Sequence, residues 1–234
     1  MVDMTDPTLH YGNLTGGYCS TPIIQNVTGS VHAGCCLCIL GRNGVGKSTL
    51  LKLLSGHLPV MSGDIRLDGR SIGHASPETR WRYGISTGLQ DRPVFDRLTV
   101  RDNLILMQSD RCLDGFERYF DAFPIIKQRL NQLAGTLSGG ERKILSFVRA
   151  LKENALLTLL DEPSAGVQLE NVDRMAQLIH ASKSKGCAFL IVEQHLHLAE
   201  EIAEAYQVLD NGRVSLEGMA TEVSLDDLIK HILV

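Results

Sequence analysis

The stretch Gly41-Arg42-Asn43-Gly44-Val45-Gly46-Lys47-Ser48-Thr49 constrains this chain more than any other, because it fits G-x-x-x-x-G-K-[ST] in the context that gives the pattern physical meaning. An apolar run over 35–40 precedes it and Leu50-Leu51-Lys52-Leu53-Leu54 follows, so the reading is strand, glycine loop, helix. Gly41, Gly44 and Gly46 let the backbone turn N–H groups toward one point, where the first helical turn adds unpaired donors and partial positive charge. The natural guest is a polyphosphate. Lys47 would reach its terminal phosphates as a point charge, and the Ser48 hydroxyl would hold Mg²⁺ bridging two of them. The plainer reading, a glycine-rich turn before a core helix, leaves the agreement of glycines, lysine, serine and both flanks unexplained.

Other polar groups stand where such a site needs them. Leu156-Leu157-Thr158-Leu159-Leu160-Asp161-Glu162 reads as a buried strand ending in two acids. Asp161 can hold Mg²⁺, directly or through water, and Glu162 can polarise an attacking water. An apolar strand over 83–89 ends at Gln90, at the sheet edge where α/β proteins place ligand contacts, although a solvated loop glutamine fits the local sequence equally. A further strand over 187–192 ends in Glu193-Gln194-His195. Leu137-Ser138-Gly139-Gly140-Glu141 opens a helical pattern and offers a hydroxyl and bare N–H groups to an anion, or simply an N-cap. Tyr18, read in a connection between strands, can stack on a purine or be an ordinary loop aromatic.

The remainder supplies a frame. Short β segments are expected at 9–14 and 23–31, with turn signals at Gly12-Asn13 and Gly16-Gly17, and hairpins across Asp68-Gly69 and Asn211-Gly212. From 97 to 153 the pattern turns helical: a capping box at Thr99-Val100-Arg101-Asp102, helices near 116–123 and 125–133, and Met107, Phe116, Phe120 and Phe123 as core. A terminal helix is expected over 224–231. The expected fold is α/β, a phosphate-loop core of the RecA-like kind with an antiparallel β subdomain and an inserted helical subdomain. One domain would span 1–234, with the core at 1–90 and 150–234 and the helical insertion at 91–149.

Composition narrows the partners. A formal net charge of -4, with no Lys/Arg block, disfavours nucleic acid. The longest apolar runs, 35–40 and 187–192, are far too short to span a bilayer, and no export signal is legible, so the expected place is the cytosol with membrane contact through a partner. Six cysteines at 19, 35, 36, 38, 112 and 187 form no disulfide framework there, and the C-x-x-C spacing of Cys35 and Cys38 is read as core packing rather than metal or redox chemistry.

The order of these motifs resembles the ATP-binding subunit of ABC transporters across nearly the whole chain, with Leu-Ser-Gly-Gly at 137–140 the discriminating part. Within that family, 41–47 and 162–168 look most like the second ATPase subunit of importers for urea, short amides or branched-chain amino acids. The resemblance implies ATP and Mg²⁺ as cofactors, with Tyr18 on adenine, 41–49 on the phosphates, and Ser48, Gln90 and Asp161 around the metal. Glu162 would be the catalytic base, and 137–141 would complete a neighbour's ATP site. Implied partners are a second, related cassette in a heterodimer, integral membrane permeases and, indirectly, a solute-binding protein, at the cytoplasmic face of the membrane. The family's switch histidine falls on Gln194, with His195 one place later; Gln168 replaces its usual aspartate, and Glu141 stands where glutamine is commoner. The alternative is a cytosolic ABC ATPase without a transporter, acting on nucleic acid, ribosomes or cluster assembly.

Overall fold

The computed structural model describes residues 6–233 apart from 92, 107, 109, 110 and 154. An antiparallel sheet contains β1 (Leu9–Tyr18), β2 (Thr21–Val31), β4 (Val60–Leu67) and β5 (Arg70–Ser71) in the order β2-β1-β4-β5. A second sheet contains β3 (Cys36–Leu40), β6 (Ile85–Gly88), β7 (Leu157–Asp161), β8 (Ala188–Val192), β9 (Ala205–Asp210) and β10 (Arg213–Met219) in the order β10-β9-β3-β8-β7-β6. It is parallel except for the β9–β10 hairpin at one edge.

The inner strands β3, β7 and β8 are buried at every position, which their unbroken apolar runs require, while edge strand β10 alternates exposed and half-buried residues. Side chains of β3 alternate between two cores. Leu37 and Ile39 pack toward the antiparallel sheet and α1 (Lys47–Ser55), and Cys36, Cys38 and Leu40 toward α6 (Gly139–Lys152), α7 (Leu169–Lys183) and α8 (Leu196–Ile202). Cys36 and Cys38 are buried with their sulfurs 3.8 Å apart, Cys35 is half-buried against the other core, and none of the six cysteines is in a disulfide. The leucines of α1 at 50, 51, 53 and 54 are fully buried, each worth roughly 1.5–3 kcal/mol. Gly56 ends α1 in the left-handed conformation, φ 84°, and the buried Arg80 guanidinium donates at 2.7 Å to both Leu53 O and Leu54 O. Leu53 O also accepts from the Gly56 N–H at 3.2 Å, so Arg80 reinforces that cap and adds a donor for Leu54 O at the end where helix carbonyls run out of partners.

Between β6 and β7 lie α3 (Val100–Ile105), α4 (Glu117–Ala122), α5 (Pro124–Gln128) and α6. Thr99 and Asp102 form the expected capping box. Phe116, Phe120 and Phe123 are core, with Phe123 edge-on to Phe147; Met107 lies outside the described residues. α5 ends earlier than expected because Leu130 O and Gln132 O accept from Arg101 N–H and Val100 N–H, a pairing a helix cannot provide. The expected break after residue 14 is also absent. β1 continues to Tyr18 through register shifts, and Asn13 at φ 47° marks a bulge rather than a turn. Three helices went unread in the sequence: α2 (Pro77–Arg82), α7 and α8. The chain closes with α9 (Leu225–Leu233), and no helix among the described residues is long and apolar enough to cross a membrane.

Candidate functional site

β3 ends in the middle of the parallel sheet, so the loop that follows it opens in the crevice at the strands' carboxyl edge. Gly41 and Gly46 have φ of 145° and 111°. A Cβ would lie 2.5 Å from Leu209 O at the first and 2.9 Å from Ile24 Cδ1 at the second, so neither position admits a side chain without displacement. Gly46 caps α1 without a side-chain bond, leaving the first N–H groups of the helix available to an anion. Lys47 is 5% exposed, and its Nζ donates to Gly41 O at 2.7 Å and Arg42 O at 3.0 Å and stands 3.8 Å from Glu162 Oε1. Burial lowers its pKa, while the carboxylates of Glu162, Asp161 and Glu193 work the other way.

Asp161, 4% exposed at the end of β7, accepts from Ser48 Oγ at 3.1 Å. Burial raises its pKa, and the Ser48 hydroxyl partly offsets that. Glu162 takes the left-handed conformation at φ 47°, which costs a non-glycine residue about 1–3 kcal/mol and persists only where the surroundings impose it. They do so from both sides: Glu162 N–H donates to Val192 O at 2.9 Å, and Glu162 O accepts from Lys143 Nζ at 2.6 Å. Beside them Glu193 is fully buried and accepts from Ser164 N–H at 2.9 Å and Gln194 N–H at 3.2 Å; burial raises its pKa.

Tyr18, Lys47, Ser48, Gln90, Glu162 and Gln194 line one cleft of about 510 Å³, together with Asn43, Gly44, Gly46 and Thr49 of the loop and helix. Tyr18 ends β1 rather than sitting in a connection; its ring is 47% exposed at the rim, with Lys52 Nζ 3.4 Å from its hydroxyl. Gly41 is buried, Asp161 stands behind Ser48, and Arg42 and Val45 line an adjoining cleft of about 610 Å³. Of the two candidates after β8, Gln194 lines the 510 Å³ cleft, whereas His195 is exposed at the start of α8 and is not among its lining residues.

The Leu137–Glu141 stretch is elsewhere. Leu137 is core, and exposed Ser138 caps α6, its Oγ accepting from Glu141 N–H at 3.2 Å while Glu141 Oε2 accepts from Ser138 N–H at 2.8 Å. A Cβ on Gly140 would meet Gly166 O at 2.9 Å, so the helix start lies tight against the loop after Glu162. Sequence reasoning assigned no task to Lys143, Glu193 or Lys52. Glu193 was legible as the acid ending a strand beside β3, but nothing local in the sequence marks Lys143.

The chemistry of these groups fits a nucleotide with a divalent cation. Side-chain-free glycines and unpaired N–H groups suit phosphate oxygens, and the Ser48–Asp161 oxygen pair suits a hard cation. Comparison with known proteins agrees. Residues 24–165 match the family model described as ABC transporter. The chain is 33% identical over 210 residues to the high-affinity branched-chain amino acid transport ATP-binding protein BraG of Pseudomonas aeruginosa, covering 88% of this chain and 90% of that protein. It is 35% identical over 218 residues to the probable branched-chain amino acid transport ATP-binding protein LivF of Archaeoglobus fulgidus, covering 90% and 91%. A solved ATP-binding subunit of an ABC transporter superposes with a TM-score of 0.81 at 25% identity, covering 97% of this chain and all of that one. With a phosphate loop, paired acids and a separate Ser-Gly-Gly helix tip in one α/β frame, the chain belongs to the ABC transporter family as an ATP-binding, ATP-hydrolysing subunit.

Proposed function

We propose that this chain powers an importer of branched-chain amino acids from the cytoplasmic face of the membrane, paired with a related cassette and docked on integral membrane permeases fed by a solute-binding protein. The named cargo of the two relatives, branched-chain amino acids, supports the substrate class. The observation that carries the catalytic part is the convergence of Lys47, Ser48, Gln90, Glu162 and Gln194 on one cleft.

In this reading Tyr18 stacks on adenine at the cleft rim, and the loop N–H groups with Lys47 hold the phosphates. Ser48 and Asp161, with Gln90, would hold Mg²⁺, which supplies charge neutralisation on the phosphoryl oxygens when bound. Glu162 accepts a proton from the attacking water, and Gln194 orients the terminal phosphate with its amide. Lys47 loses its loop carbonyl contacts only in part as phosphate arrives, since an ammonium has three donors. The chain works as one domain over 1–234, with the helical part at 91–149 carrying Ser138 toward a nucleotide held by the partner.

Replacing Glu162 with Gln tests the base directly. Turnover should fall roughly 100-fold or more while ATP remains bound, since a positioned base contributes about that factor. Unaltered turnover in Glu162→Gln would refute the assignment. Purification of the tagged chain from its native membrane should bring down a second cassette and permeases; recovery of a fully active homodimer would contradict the heterodimer.

A further inference from the structure

Glu162 has to aim its carboxylate into the cleft from a backbone conformation that glutamate does not choose. On its N–H side the peptide is tied to the sheet through Val192 O. On its carbonyl side the short contact comes from a side chain: Lys143 Nζ donates at 2.6 Å, against 3.4 Å for Ala165 N–H. Lys143 lies on α6, five residues after the exposed cap Ser138, so one helix carries both groups.

The choice of partner is informative. A half-buried ammonium near acids would ordinarily take a carboxylate, and Asp161, Glu162 and Glu193 all pull on this one. Yet Lys143 makes no ion pair within 4.0 Å among the described residues and spends its shortest bond on a neutral carbonyl. Together with Gln90 and Asp161 it lines the narrow gap between α6 and the strand ends, so it lies inside the machinery without reaching the nucleotide cleft. Removal of a charge-assisted donor would leave the Glu162 carbonyl with only the long Ala165 contact and let the left-handed peptide relax.

We propose that Lys143 is a positioning residue for Glu162: its grip on the Glu162 carbonyl holds the carboxylate in the attitude that hydrolysis requires. This rests on Glu162 being the base. A misplacement on the ångström scale is costly to a reaction that depends on alignment, whereas ATP binding, which uses the loop and Lys47, does not depend on it.

The test measures kcat and KM for ATP, together with Tm, on the full-length chain with the subunits that co-purify with it, for Lys143→Met, Lys143→Arg and Glu162→Gln. Lys143→Met should lower kcat about tenfold or more with KM within about twofold, because alignment and not binding is lost. Its Tm should move by no more than about 4 °C. Lys143→Arg, which keeps the charge and a donor, should recover most of the rate. A Lys143→Met kcat within twofold of wild type overturns the proposal. So does a loss of rate that comes with a raised KM and a much lower Tm and is not rescued by arginine, the pattern of a merely structural lysine. Wild-type turnover in Glu162→Gln removes the base assignment itself; a dead Glu162→Gln beside an active Lys143→Met removes only the role of Lys143.

Discussion

Glu193 is a carboxyl placed where water does not reach, one residue beyond β8 and close to Glu162. Its two backbone donors, Ser164 and Gln194 N–H, compensate only part of the burial, so its pKa stays above the ordinary 4.5. The unfolded chain titrates near that ordinary value. The stability Glu193 permits is therefore complete below about 4.5 and is lost as pH rises through the raised folded pKa, when a buried charge must form. Glu193→Gln keeps an amide oxygen for Ser164 N–H and cannot ionise. Thermal melts should show its Tm gaining on wild type as pH is raised from about 4.5 through the raised folded pKa, and levelling off beyond it. A difference between the two proteins that does not change with pH would show that Glu193 does not carry this cost. The neighbouring Glu162 illustrates a different residue-scale device, a strained backbone held by Val192 and Lys143.

Among the elements, α7 begins without help. Gln168 occupies its N-cap position with extended φ and ψ of -64° and 142° but makes no side-chain cap bond, because its amide is one methylene too long for the first-turn N–H groups. Gln168→Asp should stabilise the chain by about 0.5–1 kcal/mol, read as a higher urea midpoint at unchanged slope. An unchanged or lower midpoint would mean the loop over 163–168 is held against that geometry. The same position is where the resemblance implies an aspartate, and the missing cap bond is a local cost of that departure. Strands and helices with strong local signals were legible in advance: β3, β7 and β8 as unbroken apolar runs, α1 between its glycines, α3 from its capping box, and α6 from its Ser-Gly-Gly start and helical apolar pattern. The turn signals at Gly12-Asn13 and Gly16-Gly17 misled, because bulges and turns use the same residues. Close approach decides between them: a Cβ at Gly17 would lie 2.2 Å from Thr21 O, and at Gly16 2.5 Å from Leu53 Cδ2, contacts that only the fold creates. Lys143 escaped for a like reason. Its partner is a carbonyl 19 residues away, and backbone acceptors leave no trace in side-chain patterns.

At the scale of the whole molecule, the phosphate loop and the Ser-Gly-Gly helix tip occupy two faces rather than one. The phosphate loop, paired acids and Tyr18 gather at the carboxyl edge of the parallel sheet, while Ser138 stands exposed at the tip of α6 outside that cleft. This separation was legible only as motif order; taken alone, the local sequence favours reading Ser138 as a simple cap, and a cap is what it forms. α6 spans the interval, with Ser138 at its start and Lys143 against the Glu162 carbonyl. The account stands or falls on the first of the two faces, where Lys47 is buried, desolvated and aimed by its own loop. Nucleotide affinity measured by calorimetry on wild type and Lys47→Ala is the most direct examination. Loss of a buried, charge-assisted contact should weaken ATP binding by about 100-fold, roughly 2.7 kcal/mol, with the fold retained by circular dichroism. ATP bound as tightly by Lys47→Ala as by wild type would contradict the account.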